Sequence, residues 1–356
     1  MALTERAQLH AKPPATAAES PAIGTPINAW PAFDNPAAWA VAAILVIMPL
    51  IANGFFLIEI FGTTLILGIV ALSLMFLAGY GGMVSLAQMS AAGAAGYAMA
   101  ILGHNSLGTG HDWPWWLLVP TATLLAALFS TIAGLLAART AGIYTIMITL
   151  AIGMAFFLLT QQNYAVFNGH SGFAGIAPPV TFGLDWRSPV PFYYLALVVA
   201  AACYAAVLYV SRAPFGLALQ AIRDNPRRMR ALGFNVGAHR VAAYALAGLI
   251  AGLGGVLLVW FDGRISPGTI GVDRLINILV IAVIGGTRHP AGAFLGAILF
   301  VLVSTFAIDL VGAERFNTLI GLVFLAVVLF SPDGLLGLFE RARRAVAATA
   351  NSGRMR

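Results

Sequence analysis

Long stretches without a single charge alternate along this chain with short clusters that carry nearly all of its charges. A charge at the centre of a bilayer costs about 2.5–3.5 kcal/mol, and about 20 helical residues cross the hydrocarbon. Charge-free stretches of that length therefore predict membrane spans. Asp34 and Glu59 bracket 24 uncharged residues, enough for one helix. Ile60 to Gly103 supplies 44, enough for two, with Gly79-Tyr80-Gly81-Gly82 as the break. Trp113 to Ala138 predicts a fourth, opened by the interfacial aromatics and helix-starting proline of Trp113-Pro114-Trp115-Trp116. A fifth runs from Gly142 to Gln162. After a Gly/Pro-rich polar loop over 163–190 a sixth covers Pro191 to Val210. A basic loop over 211–240 leads to a seventh, Val241 to Phe261. The gap from Leu275 to Thr287 is only 13 residues. The eighth helix must therefore begin earlier, with Asp273 and Arg274 at the interface, or be discontinuous. His289 to Ile308 and Phe316 to Pro332 bring the count to ten.

The expected fold class is an all-α polytopic helical bundle of about ten transmembrane helices, some interrupted. The similar small-residue texture of Gly79–Tyr97 and Val283–Ala297 suggests an internal two-fold pseudo-repeat. Residues 1–36 are rich in Ala, Pro and Thr and lack the apolar core of a secretory signal, so they read as a disordered cytoplasmic tail. The transmembrane domain is expected over 37–335 and a basic cytoplasmic tail over 336–356.

Composition agrees: 60% of residues are hydrophobic and 9% charged, against about 25% charged in soluble domains. The net charge of +6 comes from 18 Arg and one Lys. With the N-terminus placed inside, 15 of these 19 basic residues fall in inside loops and 4 outside. The positive-inside rule then puts both termini in the cytoplasm and makes nucleic acid an unnecessary explanation for the charge. Cys203 is the only cysteine and the six histidines are scattered, so no metal site and no cofactor is indicated. Glu59, Asp262, Asp273, Asp309 and Glu314 sit at outer boundaries and Asp333 at the inner one. No carboxylate relay for an ion-driven transporter and no paired catalytic carboxylates lie within a span.

Five motifs stand out. Gly79 to Gln88, running on to Gly93 and Tyr97, combines flexible glycines with a polar pair, Ser85 and Gln88, at i, i+3. Backbone interruptions are tolerated in a membrane only where they are buried in protein or line a cavity. Close helix packing is the alternative role for the glycines. Gly142 to Gly153 carries Tyr144, Thr145 and Thr149. Back-bonding of the threonines to their own helix competes with a role in a pathway. In Asn168 to Ile176, with His170, the glycines suit a plain turn, with an anion-binding backbone as the alternative. Ser211 to Val236 contains Asn225 as an N-cap, Pro226 at the first helical position and Gly233 as a C′ cap. A short helix over Pro226–Leu232 is thus predicted inside a helix–turn–helix with an arginine-rich face. A lipid anchor would explain its charge, whereas a protein-docking surface explains the charge together with the caps and Met229, Leu232 and Phe234. The fifth motif, Val283 to Ala297, holds Gly285 and Gly286.

Together these motifs resemble the LivM-type permease family of branched-chain amino acid importers, over about 60–335. Gly79, Gly82, Ser85, Leu86 and Gln88 match its Gly-x-x-Gly-x-x-Ser-Leu-Gly-Gln segment, with Ala87 where the family has glycine. Gly142 and Tyr144 match its Gly-x-Tyr segment, and Asn168, Gly169 and Gly172 its loop loosely. Pro214, Phe215, Gly216, Ala221, Ile222, Arg223, Asn225, Ala231, Leu232 and Gly233 match its cytoplasmic coupling loop. Gly285, Gly286, Gly292 and Gly296 match its late Gly-Gly segment, with Arg288-His289-Pro290 less usual. The resemblance implies a transport subunit in the bacterial inner membrane that is not itself an enzyme. It also implies as partners a second homologous permease, two cytoplasmic ATPase subunits, an extracytoplasmic solute-binding protein and membrane lipid. No phosphate-binding Gly-x4-Gly-Lys-Ser/Thr loop is present, and the one lysine is Lys12, so ATP hydrolysis is expected in the partners. The expected translocation path comprises Gly79, Gly82, Ser85, Gln88, Gly93, Tyr97, Tyr144, Thr149, Gly285 and Gly286. The expected ATPase-coupling residues are Arg223, Asp224, Asn225, Arg227, Arg228, Arg230, Leu232 and Gly233. Urea or amides are alternative cargo, and an ion-gradient-driven transporter is the alternative mechanism.

Overall fold

The computed structural model describes residues 36–140, 142–179 and 186–311, with isolated positions between 318 and 337. The expected tails and most of the tenth helix over 316–332 lie outside the described residues. The chain divides into a unit ending at Ile47 and a second from Met48 onward. Helix α1 (Pro36–Ile51) runs across that division.

The described residues of the second unit are helical almost throughout. Among the described residues six stretches are long and apolar enough to cross a membrane: α2 (Phe56–Tyr80), α4 (Trp115–Ala137), α5 (Ile143–Gln162), α7 (Pro189–Arg212), α10 (Val236–Asp262) and Pro267–Gly285. Shorter or interrupted elements complete it. These are α3 (Gln88–Leu102), α6 (Tyr164–Phe167), α8 (Pro214–Asp224), α9 (Pro226–Ala231), α11 (Val272–Gly285) and α12 (Pro290–Val311). Among the described residues six helices thus meet both criteria, where about ten spans are expected of the whole chain. Helices α1 and α3 have only 16 and 15 residues.

Local chemistry explains where the elements depart from the expected boundaries. Helix α2 starts ahead of Glu59 instead of after it, because the break falls at Ala52-Asn53. Glu59 then lies in the first turn, where the helix dipole favours an acid. Helix α3 is shorter than the charge-free gap because residues 82–85 are irregular. The eighth crossing meets both alternatives at once. A 3₁₀ turn over Pro267–Ile270 is followed by Gly271, and α11 then carries Asp273 and Arg274 in its opening turn.

Helix α10 sits centrally, packed on α2, α3 and α4 through a glycine stripe. A Cβ added at Gly248 would fall 2.9 Å from the Ala126 carbonyl, and one at Gly255 only 2.0 Å from that of Ala92. Ser130 Oγ on α4 donates to the Tyr244 carbonyl on α10 at 2.7 Å. Lipid tails are as apolar as leucine, so close backbone approach and interhelical hydrogen bonds hold membrane helices together in place of a hydrophobic drive.

The loops gather at two opposite ends. At one, Gly79 lies against the Thr287 carbonyl of the α11–α12 turn, and Arg240 Nη1 donates to the Ala138 and Thr140 carbonyls beyond α4, both at 3.4 Å. At the other, strands β1 (Phe173–Ala174) and β2 (Arg264–Ile265) pair antiparallel, Phe173 opposite Ile265. There the Ser106 amide donates to the Ala174 carbonyl at 2.9 Å and the Ile176 amide to the Gly263 carbonyl at 3.1 Å. The chain leaves α2 at the first end, and α3 delivers it to the second. Segment 79–103 therefore crosses the bundle and does not re-enter.

Gly255→Ala is expected to lower stability by about 1–3 kcal/mol, the usual cost of overpacking. Gly237→Ala, on the same helix with no atom closer than 3.5 Å, should be near neutral. Thermal unfolding of the purified protein in detergent separates the two.

Candidate functional site

The site is built around the interrupted crossing between α2 and α3. Helix α2 closes in a widened π turn over Phe76–Tyr80, and the amides of Gly81 and Met83 both reach back to the Leu77 carbonyl at 3.0 Å. Gly82 then takes φ +65°, a left-handed conformation that costs a side-chain-bearing residue but not glycine. Its open side is filled by the Arg223 side chain, whose Cγ lies 2.5 Å from where a Cβ would stand.

The irregular residues that follow find their hydrogen-bond partners on other helices. Thr149 Oγ1 of α5 accepts the Leu86 amide at 3.0 Å, and its own proton is directed at the Thr145 or Ile146 carbonyl, each at 3.0 Å. Ser85 Oγ accepts the Ala87 amide at 3.3 Å and Gln88 Nε2 at 3.4 Å. Ser73 Oγ of α2 lies 3.1 Å from Gln88 Oε1 and 2.6 Å from the Val70 carbonyl, with one proton for the two. Ser73, Ser85, Gln88 and Thr149 are all buried. They form one polar clasp joining α2, α3 and α5, with every member of the Ser85/Gln88/Thr149 set turned inward.

The remaining path residues named from sequence fall in other places. Gly285 and Gly286 end α11 and meet the break through the adjacent Thr287. A Cβ at Gly285 would collide with the Gly292 carbonyl at 1.8 Å, so α11 and α12 approach at their glycines. Gly93 and Tyr97 lie farther along α3. Gly93 packs on Ile270, and the buried Tyr97 ring stands edge-on to Phe156, Phe167 and Phe173 at centroid distances of 6.3, 5.1 and 6.5 Å. Tyr144 is separate from all of these, 68% exposed on the outward side of α5, whereas Thr149 is 0% exposed on the inward side.

The loop between α7 and α10 is a folded module. Asn225 Oδ1 accepts the Arg228 amide at 3.0 Å, Pro226 opens α9, and Gly233 follows at φ +89°. The helix ends at Ala231, one residue short of the expected Leu232, which serves as its C-cap. Ile222, Met229 and Val236 give the module a small core of its own. Arg227, Arg228 and Arg230 point out beside Leu232, 65% exposed, and Phe234. Arg223 departs from this group. Asp224 Oδ1 grips its Nε at 3.0 Å and its Nη2 at 2.9 Å, and Nη1 donates inward to the Gly79 carbonyl. Reading the sequence alone did not single out Ser73, Thr287 or the Gly248-x-x-x-Gly252 stripe. Only the stripe carried a local signal.

A helical bundle with, among the described residues, six apolar helices of crossing length and a hydroxyl-clasped interrupted crossing defines a multi-pass membrane protein. The chain belongs to the family described as the branched-chain amino acid transport system / permease component, whose model matches residues 56–329. It is 26% identical over 291 residues to the high-affinity branched-chain amino acid transport system permease protein LivM of Escherichia coli, covering 75% of this chain and 65% of that one. The LivM protein of Salmonella typhimurium gives the same values. A nucleoside ABC transporter permease protein, NupC of Lactococcus lactis, is 29% identical over 207 residues, 54% of this chain and 63% of that one. The chain thus spans just under two thirds of the length of these relatives. No solved structure matches it.

Thr149→Val keeps the shape but leaves the buried Leu86 amide without its acceptor. It should cost about 1–3 kcal/mol, while Thr149→Ser, which keeps the oxygen, should cost less than half as much. Melting temperatures of the two variants in detergent check this.

Proposed function

We propose that this chain is the permease subunit of an ATP-driven importer of branched-chain amino acids in the bacterial cytoplasmic membrane. It works by alternating access against a second, homologous permease. Both termini face the cytoplasm, two ATPase subunits dock on the coupling loops of the two permeases, here the α8–α9 module, and an extracytoplasmic binding protein delivers the solute at the β1–β2 end.

The observation that carries the reading is the module itself. A basic loop needed only as a lipid anchor has no use for an Asn225 cap, a Gly233 stop or the Ile222–Met229–Val236 core. An ordered helix that presents three arginines around exposed Leu232 and Phe234 suits a protein surface with an apolar groove and acidic rim. The clustering of Arg223, Arg227, Arg228, Arg230 and Arg240 at this end supports its assignment to the cytoplasm.

The two sides of α5 divide the labour. Thr145, Thr149 and Gly153 face inward, while Tyr144, Met147, Ala151 and Ala155 are exposed. We assign that outward face, with its small residues and one hydroxyl, to the path shared with the second permease. The leucine-rich outer face of α4, with Leu124, Leu128, Ile132 and Leu135, is assigned to lipid. Ser85, Gln88 and Thr149 act in the path as the clasp that holds its wall, and Gly79, Gly82, Gly285 and Gly286 as the points where the wall bends. Among the described residues the carboxylates of the long helices stand near their ends, Glu59, Asp262 and Asp273, which leaves an ion-driven mechanism without a relay. The family and the LivM relatives favour leucine, isoleucine and valine as cargo over urea or amides.

Cells carrying this chain with its operon partners should take up radiolabelled leucine, and not urea, at the expense of ATP. Reversing Arg227, Arg228 and Arg230 to Glu should cut that uptake by about tenfold or more, with the protein still present in the membrane. Uptake that survives the reversal and follows a proton or sodium gradient would overturn the reading.

A further inference from the structure

We infer that Arg223 is not part of the surface that receives the ATPases. It is a positioning residue that carries the movement of the α8–α9 module into the interrupted crossing at Gly79–Gly82. The inference rests on the importer reading above.

Four observations place it there. Its side chain is only 31% exposed, whereas its neighbours Arg227, Arg228 and Arg230 point outward. Its guanidinium reaches across 144 residues of sequence to donate to the carbonyl of Gly79, at the end of α2. Carbonyls in the last turn of a helix have no partner within it, and a cation there also suits the helix dipole. Its stem covers Gly82, so close that no other residue could stand at that position without displacing Arg223. Finally, Asp224 holds Nε and Nη2, which fixes the plane of the guanidinium and leaves Nη1 directed at Gly79. A rigid planar fork held at one edge and bonded at the other is a strut, a role that the single point charge of a lysine does not fill.

The strut meets the bundle where displacement has consequences. Gly79 also touches the Thr287 carbonyl in the turn between α11 and α12, so the residue that the guanidinium holds is itself in contact with the second glycine-rich break. On the other side, only residues 83 and 84 separate Gly82 from Ser85, the first member of the buried clasp that ends on Thr149 of α5. A shift of α8 is thereby passed to α2, to the α11–α12 turn and to α3 through short, directed contacts.

The test uses the complete importer, with binding protein, in proteoliposomes. Three quantities are measured: association of the ATPase subunits, ATP hydrolysis stimulated by the loaded binding protein, and leucine uptake. Arg223→Gln and Gly82→Ala are expected to leave association within about twofold of the parent and to preserve stimulated hydrolysis. Uptake per ATP should fall by about tenfold, within the usual range of site-to-site coupling. Arg223→Lys should give an intermediate ratio, and it carries the test if the glutamine variant does not assemble. An unchanged ratio, or uptake and hydrolysis falling together with ATPase association as for the Arg227 reversal, would overturn the strut and return Arg223 to the docking surface. If the parent importer shows no ATP-driven leucine uptake, the importer reading fails instead, and the strut with it.

Discussion

Peptide groups that leave a helix inside a membrane have no water to turn to, and this requirement organises the centre of the molecule. Residues 81–87 cross without helical structure, and all but the exposed Gly82 and the half-buried Val84 are buried, so their amides turn to protein for partners. The partners come from separate elements: carbonyls at the end of α2 for Gly81 and Met83, Ser85 Oγ for Ala87, and Thr149 on α5 for Leu86. Once those groups are committed, the placement of neighbouring elements follows. Helix α5 must turn its threonines inward and its apolar side out, the reverse of an amphipathic helix in a soluble protein. Gln88 must find Ser73, since an amide in hydrocarbon without partners costs several kcal/mol.

The close packing around α10 serves the same requirement. A polar clasp works only if the helices that supply it are held at fixed distances, and leucine against lipid gives no preference for contact. Glycines at 248, 252 and 255 let α10 approach α4 and α3 at backbone distance, where dispersion and the Ser130–Tyr244 hydrogen bond act together. The small side chains of α3, Ala91, Ala92 and Ala95, complete this fit from the other side.

How much of this the sequence discloses depends on how local each cause is. The α9 helix is legible to within one residue because Asn225, Pro226 and Gly233 fix its ends through bonds within the segment itself. The breaks at 79–82 and 285–286 are legible as glycines, but their mutual contact is not, because it joins positions some two hundred residues apart with no pattern linking them. The same holds for Thr149 and Leu86. Tyr144 and Thr149 were separable from the outset: five positions on an α-helix lie about 140° apart around its axis, so they could not line one face. Arg223 was disguised by its company. It sits four residues after the buried Leu219 and beside Ile222, which places it on the inner side of α8, yet a run of arginines draws the eye to the charge rather than to the helical register.

The two ends of the bundle are held by different kinds of bond. At the β1–β2 end the loops are tied largely by backbone pairs: Phe173 with Ile265, Ser106 with Ala174, Ile176 with Gly263. Such bonds fix chain against chain and do not depend on rotamers. At the opposite end the ties run through side chains: Arg223 to Gly79 and Arg240 to the carbonyls after α4. A side chain can keep its bond through a change of rotamer while the backbone beneath it moves. Force applied by the α8–α9 module would therefore be taken up at the glycine breaks before it disturbs the stranded end. On the importer reading proposed above, that asymmetry would let the opening beside the module change while the end proposed to meet the binding protein keeps its shape. On the proposed reading, the part that would move and the part that would receive differ in the chemistry of their ties, with Gly82 and Gly286 on the moving side.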